Sequence, residues 1–346
     1  MISTEETTLE QLALHYVGNK SREEALFLSG SVITPDERLN ETILAYFLNP
    51  FRWDEFYNLS NEDDFSPNEV YEAVTMIFDD PECLFEQSKQ LSKLLYEKST
   101  RPNIKDGEFY VAYLKDLIVE DELTDAVGLF KSEHKDTFLK VSRSNGNLLI
   151  NSDEGININM LDKGCLIFNT EKERGYLVSI VDNINRREEA VYWREDFLNI
   201  IPRNDNFYQT KNALNLCRDY VIKQMPAEFE VNKADQADML NRSVNYFKEN
   251  ETFNFEDYSE KILQQPEAIR SFKDFKTSFR EEYPFPDDEF AISAPAVKRQ
   301  QKVFKSVIKL DKNFHIYVHG NRQWIERGFD EATGMHYYKL YYDKES

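Results

Sequence analysis

Two carboxylates beside a lysine are the residue types of a metal-dependent nuclease, where the acids hold a divalent ion and the lysine steadies the attacking water. Pro266-Glu267, followed by Asp274-Phe275-Lys276, has those types in the loose order of a PD…(D/E)xK pattern. That chemistry needs the groups on adjoining strands. Here Ile269, Phe272, Phe275 and Phe279 recur at helical spacing, so the segment is predicted to be one amphipathic helix with its phenylalanines buried. The nuclease reading is therefore ranked last. On the other rows of that helix, Arg270, Lys273, Lys276 and Arg280 are expected to face solvent, partly offset by Glu267, Asp274, Glu281 and Glu282. His315 and His319 on one strand face, with His336 on a later strand, are the remaining metal candidate. Four residues along a strand span ~13 Å, too far for two ligands of one ion. The patterns GxxxxGK[ST], GxGxxG, HExxH and GxSxG do not occur. No catalytic residue, metal site or cofactor is assigned.

Charge gives a stronger asymmetry. Residues 291–328 hold Lys298, Arg299, Lys302, Lys305, Lys309, Lys312, Arg322 and Arg327 against only Asp311 and Glu326, in a chain of net charge −21. In a strand over 303–310, alternation sends Phe304, Ile308 and Leu310 inward and Lys305 and Lys309 outward. In the next strand Phe314, Ile316 and Val318 are expected inward, which turns His315, Tyr317 and His319 outward. A final strand presents Tyr337, Lys339 and Tyr341. Basic side chains interleaved with aromatics suit a phosphate backbone and, if it is single-stranded, its bases. The candidate nucleic-acid-binding set is therefore Lys298, Arg299, Lys302, Lys305, Lys309, His315, Tyr317, His319, Arg322 and Lys339. The competing reading is a solvated sheet face, or a docking surface for the acidic first half.

The elements that carry these residues follow from periodicity and caps. A strand over 12–17 precedes three helices, each with proline at its first helical position: Thr34-Pro35 and Ser66-Pro67 with glutamates completing capping boxes, and Asp80-Pro81 opening a helix to about Lys98. Strands over 109–114, 126–130, 137–141, 148–150, 164–168 and 175–181, joined by short turns such as Asn145-Gly146, predict an antiparallel meander. Helices over 207–224, 233–249, 255–264 and 266–282 come next, and the tail from 303 to 342 reads as a four-stranded antiparallel meander. The fold class is α+β. A strand-centred domain over 1–205 and a helix-plus-sheet domain over 206–346 are the expected division, as 346 residues suggest.

Composition sets the bounds. At 41% hydrophobic, with 25 Phe and 19 Tyr, the chain can bury sizeable cores, and 11 Gly leave little for Gly-rich phosphate loops. The acidity counts against simple coating of DNA but not against a local basic patch. Cys83, Cys165 and Cys217 form no CxxC pair and read as reduced core thiols. Residues 1–10 are polar and acidic, unlike a signal peptide, and no apolar run approaches the ~18 residues that span a bilayer. A soluble, intracellular protein is expected.

Six stretches carry a family likeness: HYVGNKSREE (15–24), GLFKSEHKDTFLKV (128–141), GININMLDKGCLIFNTEKERGYLVSIVDN (155–183), YWREDFL (192–198), KLDKNFHIYVHGNR (309–322) and GFDEATGMHYYKLYY (328–342). Together the chain resembles the bacterial NdpA-type nucleoid-associated protein family, in a form like its Bacteroidetes branch. None of the six is a chemical motif. The resemblance implies a cytoplasmic protein at the nucleoid that binds DNA, directly or through chromosome-associated proteins. It implies no reaction and no cofactor, and it transfers no site residue. The expectation is a non-catalytic DNA-binding protein, without membrane contact and capable of oligomerisation. Its rival is a nucleoid scaffold that never touches DNA.

Overall fold

The computed structural model describes residues 2–60, 68–183, 191–282, 288–301, 304, 307–310, 312, 314–317 and 324–344. Strands β1 (Ile2–Ser3), β2 (Thr8–Val17), β3 (Leu26–Phe27), β4 (Tyr57–Leu59), β5 (Gly107–Val119), β6 (Glu122–Ser132), β7 (Lys135–Ser144), β8 (Asn147–Ile156), β9 (Lys163–Phe168), β10 (Leu177–Asp182) and β11 (Ile200–Pro202) belong to one unit, Met1–Arg203. Nine of them form one sheet in the order β11-β4-β10-β9-β6-β5-β2-β3, with β1 added against β5, and their pairings are antiparallel.

Helices cover both faces of this sheet. On one side α2 (Glu69–Asp79), α3 (Leu84–Lys98) and a π-helical segment, Tyr192–Phe197, pack on Val111, Leu129, Cys165 and Val178. On the other, α1 (Glu37–Leu48) sets Phe47 against Phe130 with stacked rings 3.9 Å apart, beside Ala112, Leu166 and Leu177. Alternate residues of β6 and β9 therefore serve opposite cores, which is why these strands read as unbroken apolar runs.

The predicted meander is corrected in one respect. β6 pairs directly with β9, while β7 and β8 leave the sheet as a separate two-stranded hairpin. The six residues of β9 are all buried and fit only between two strands, whereas every residue of β7 is exposed. Helix starts also differ. Asp36 rather than Thr34 caps α1, accepting from Leu39 N at 2.8 Å, and Asn68 caps α2, accepting from Val70 N and Tyr71 N at 3.0 Å each. Asp and Asn are better caps than Thr. Ser66 and Pro67 lie outside the described residues. Asp80 caps a 3-10 turn, Pro81–Cys83, that leads into α3. The three cysteines are free thiols.

The second unit is Asn204–Ser346. Its helices are α4 (Asn206–Asp219), continued by a π-helical turn at Tyr220–Gln224, α5 (Met225–Glu228), α6 (Lys233–Glu249), α7 (Phe255–Tyr258), α8 (Pro266–Glu282) and α9 (Ala294–Gln300). Its core is aromatic: Phe247 stacks on Phe253 at 5.1 Å and Phe255 on Phe272 at 4.9 Å. As the spacing predicts, Phe272 and Phe279 are buried along α8 and Phe275 is half-buried. Lys276 departs from expectation. It follows Phe272 by four residues and so shares its face. Its side chain is buried, with Nζ 3.7 Å from the Phe255 ring centroid and paired with Asp288. Strands β12 (Thr252–Asn254) and β13 (Glu289–Ala291) form a short ladder. Strands β14 (Val307–Leu310), β15 (Phe314–Tyr317), β16 (Ile325–Asp330) and β17 (Met335–Leu340) occur among the described residues as two hairpins, β14-β15 and β16-β17, not as the expected four-stranded sheet. The α+β class holds throughout.

His15 gives the first unit a defined pH response. Its Nδ1 accepts from Ser29 N at 3.1 Å, so Nε2 keeps the proton and donates to Ser88 Oγ at 2.8 Å. Burial, aided by Lys89, lowers its pKa to about 4. The unfolded chain, with a His pKa of ~6.5, binds more protons between those values. The contribution is thus complete above ~6.5 and is lost as pH falls towards 4, a loss of ~3 kcal/mol. Urea unfolding across that range is expected to show this slope, and His15→Asn to flatten it. Phe272→Ala, by emptying the aromatic core, is expected to cost ~3–5 kcal/mol at neutral pH in the same assay.

Candidate nucleic-acid interface

A small apolar cluster seats the two C-terminal hairpins. Ala234 and Ala237 of α6 meet Ile308 and Ile325, with Leu310, Ile316 and Tyr338 half-buried around them. Once those residues turn inward, alternation decides where their neighbours go. In β14-β15, Ile308 pairs with Ile316 and Lys309 with His315. His315 is exposed and Tyr317 is 60% exposed, as expected. Phe314 is not inward: it is 64% exposed. In β16-β17, Tyr338 turns towards the cluster while Tyr337 and Lys339 face solvent.

The charges on this surface are unequal in quality. Lys339 Nζ lies 5.0 Å from the Tyr341 ring and 3.9 Å from Glu326 Oε2, and Tyr341 donates to the same carboxylate at 3.1 Å. The Tyr341 hydroxyl, followed by Glu326, holds the ammonium above its usual pKa. Lys339 stays charged, but Glu326 answers much of its field. Lys298 and Arg299 are exposed on α9, whose Ala296 and Val297 are buried. The Arg299 guanidinium sits 6.0 Å from the Phe207 ring. Lys302, Lys305, His319 and Arg322 lie outside the described residues, as does Val318. The structure thus brings Lys309, His315 and Tyr317 onto one hairpin, with Lys339 on the other and Lys298 and Arg299 on α9.

Sequence reasoning missed part of the aromatic surface. Phe314, Trp324 (48% exposed) and Phe329 (53%) join Tyr317, Tyr337 and Tyr341 in reach of solvent. A two-stranded hairpin has no layer behind its far end, so even nominally inward residues surface there. Phe329 shares its ring contact with His336, at 4.9 Å. The run of aromatics over 314–342 carries the signal, but alternation places these rings correctly only when the sheet is two strands wide.

Other chemistry finds no such support. Glu267 and Asp274 lie on α8, and the adjoining-strand geometry of a nuclease is not formed there. Among the described residues, no group of three or more His, Cys, Asp or Glu side chains is placed to hold a metal.

Among the described residues, a buried set of titratable groups lies in the first unit. Lys131 Nζ donates to Glu133 Oε1 at 2.9 Å, to the Lys105 carbonyl at 2.6 Å and to Tyr192 Oη at 3.2 Å. Tyr192 in turn donates to Glu133 at 2.5 Å, and Lys163 meets Asp182 at 3.1 Å. Burial alone would raise the Glu133 carboxyl, but the Lys131 and Lys163 ammonium groups and the Tyr192 hydroxyl outweigh it and hold it below the usual carboxylate range. Beside this network, Asp162 accepts from Glu133 N at 2.5 Å and His134 N at 3.0 Å and pairs with His134 Nδ1 at 2.7 Å. The side chains of Lys131, Glu133, Asp162, Lys163 and Asp182 are buried and ion-paired, and with Tyr192 and the half-buried His134 they tie the sheet end together.

The family model described as nucleoid-associated protein YejK matches residues 13–335. The chain belongs to that family. Membership makes it a nucleoid-associated protein, and it covers both structural units. Among curated proteins, none matches the chain. Among the described residues, no helix is long and apolar enough to cross a membrane. Lys131, Glu133, Asp162, Lys163, Asp182 and Tyr192 all fall within three of the stretches that carry the family likeness. Those stretches therefore contribute a buried ionic framework to the first unit.

This reading can be measured. Lys131→Met leaves Glu133 buried without its main partner and is expected to cost ~3–5 kcal/mol in urea unfolding. Lys131→Met with Glu133→Leu removes both charges and is expected to recover much of that loss.

Proposed function

We propose that this nucleoid-associated protein binds DNA directly and without catalysis. The surface assigned to that role carries Lys298, Arg299, Lys302, Lys305, Lys309, His315, Tyr317, His319, Arg322 and Lys339, all in the second unit. One observation supports this reading most: on hairpin β14-β15 the exposed His315 and Tyr317 alternate with apolar anchors, and Lys309 stands directly across from His315. Cations there neutralise phosphates, and the exposed rings offer stacking platforms to unpaired bases. With a net charge of −21, most of the surface repels DNA, so the basic segment also sets the orientation of approach.

Mobility shifts on duplex and single-stranded DNA at about 50 and about 200 mM salt test this directly. Lys298→Glu with Lys309→Glu is expected to weaken binding and to flatten the log–log salt slope by about two units, with circular dichroism unchanged. A variant that binds as the parent does would assign nucleoid association to protein contacts instead. Plasmid incubated with the pure protein and magnesium or manganese is expected to stay intact. Cleavage that Asp274→Ala abolishes would overturn the non-catalytic reading.

A further inference from the structure

The β7-β8 arm is exposed over nearly its whole length. Its tip is Asn145-Gly146, with φ of 49° and 79°, the left-handed pair that a two-residue hairpin turn demands. Its root is fixed by Lys135 paired with Glu108 at 2.7 Å and by Asp162 binding the backbone at Glu133 and His134. Between root and tip, register places Thr137 with Glu154, Leu139 with Ser152, Val141 with Ile150 and Arg143 with Leu148 on one face. On that face Leu139, Val141, Leu148 and Ile150 are 73%, 61%, 69% and 67% exposed. An isolated two-stranded hairpin is marginal in water and gains from a layer packed on its apolar face.

We propose that this face docks on the same face of a second copy of the chain, tip against root, about a two-fold axis. Charge placement selects that occupant. Arg143 stands near the tip and Glu154 near the root of the same face. In the antiparallel arrangement each Arg143 meets the partner copy's Glu154, twice over, because an isologous interface repeats every contact. Tip against tip would set arginine against arginine. The four aliphatic side chains then bury one another at the centre. DNA fits the arm poorly, since Lys135, Lys140 and Arg143 are matched by Asp136, Asp153 and Glu154. The apolar stripe measures about 20 by 10 Å, so it covers roughly 200–300 Å² per copy, well under the ~800 Å² of a tight interface. The dimer is therefore weak and reversible.

Sedimentation velocity of the full chain, from about 1 to about 100 μM at about 0.15 M salt, reads this out. The expected result is a concentration-dependent dimer. Leu139→Glu with Ile150→Glu is expected to remain monomeric throughout, with circular dichroism unchanged. Arg143→Glu alone is expected to weaken dimerisation about tenfold, and Arg143→Glu with Glu154→Arg to restore it. A parent chain that stays monomeric would overturn the proposal. So would a dimer indifferent to the Leu139/Ile150 substitutions, or a charge swap that fails to restore association.

Discussion

Two lysines inside a sheet are the constraint around which the first unit is organised. Lys131 stands next to last in β6 and Lys163 begins β9, and neither side chain has any exposure. An ammonium in such a place is tolerable only if carboxylates and hydroxyls meet it at hydrogen-bond distance. Glu133, Asp182 and Tyr192 do so from three separate segments, which brings the ends of β6 and β10 and the start of the π-helical segment into fixed relation with β9. The helices on either face then pack against a sheet whose register is already set at one end. Slipping β9 by one residue would exchange Leu129- and Cys165-type neighbours for the opposite core and strand both lysines without partners.

The second unit is held differently. Stacked rings in its centre need no charge pairing, and a handful of aliphatic contacts seat the terminal hairpins. A narrow footing leaves most of each hairpin in water. It also leaves His315, Tyr317, Tyr337 and Lys339 facing solvent. The acidic remainder of the chain keeps the average field negative, so any attraction for phosphate is local and short-ranged at physiological salt.

What could be read from the residues follows the strength of the local signals. Phe272, Phe275 and Phe279 announced α8, and Asp80-Pro81 announced the turn into α3. The Asn145-Gly146 turn and the strands around it were also legible, but their partners were not: pairing β6 with β9 across 30 residues depends on which strand can be buried on both faces. Lys276 escaped because a charged residue on a phenylalanine stripe is ordinarily counted as exposed, and here Phe255 and Asp288 receive it. The ionic network escaped for the same reason. Lys131, Glu133, Lys163 and Asp182 sit at strand ends, where charged residues usually mark the passage into solvent. Of the candidate surface, the outward placement of His315, Tyr317 and Lys339 followed from alternation, while Phe314 and Phe329 depended on where each hairpin outruns its support.

Because β6 pairs with β9 directly, the arm between them is topologically an insertion. Asp162 closes its root by gripping the backbone at Glu133 and His134, so the two chain ends that enter and leave the arm are already side by side. A short turn at that point would complete the same nine-stranded sheet. The arm can thus change length or lettering without passing through a sheet that fails to assemble. Whatever surface it offers is modular, carried by a hairpin that the framework beneath it does not need in order to close.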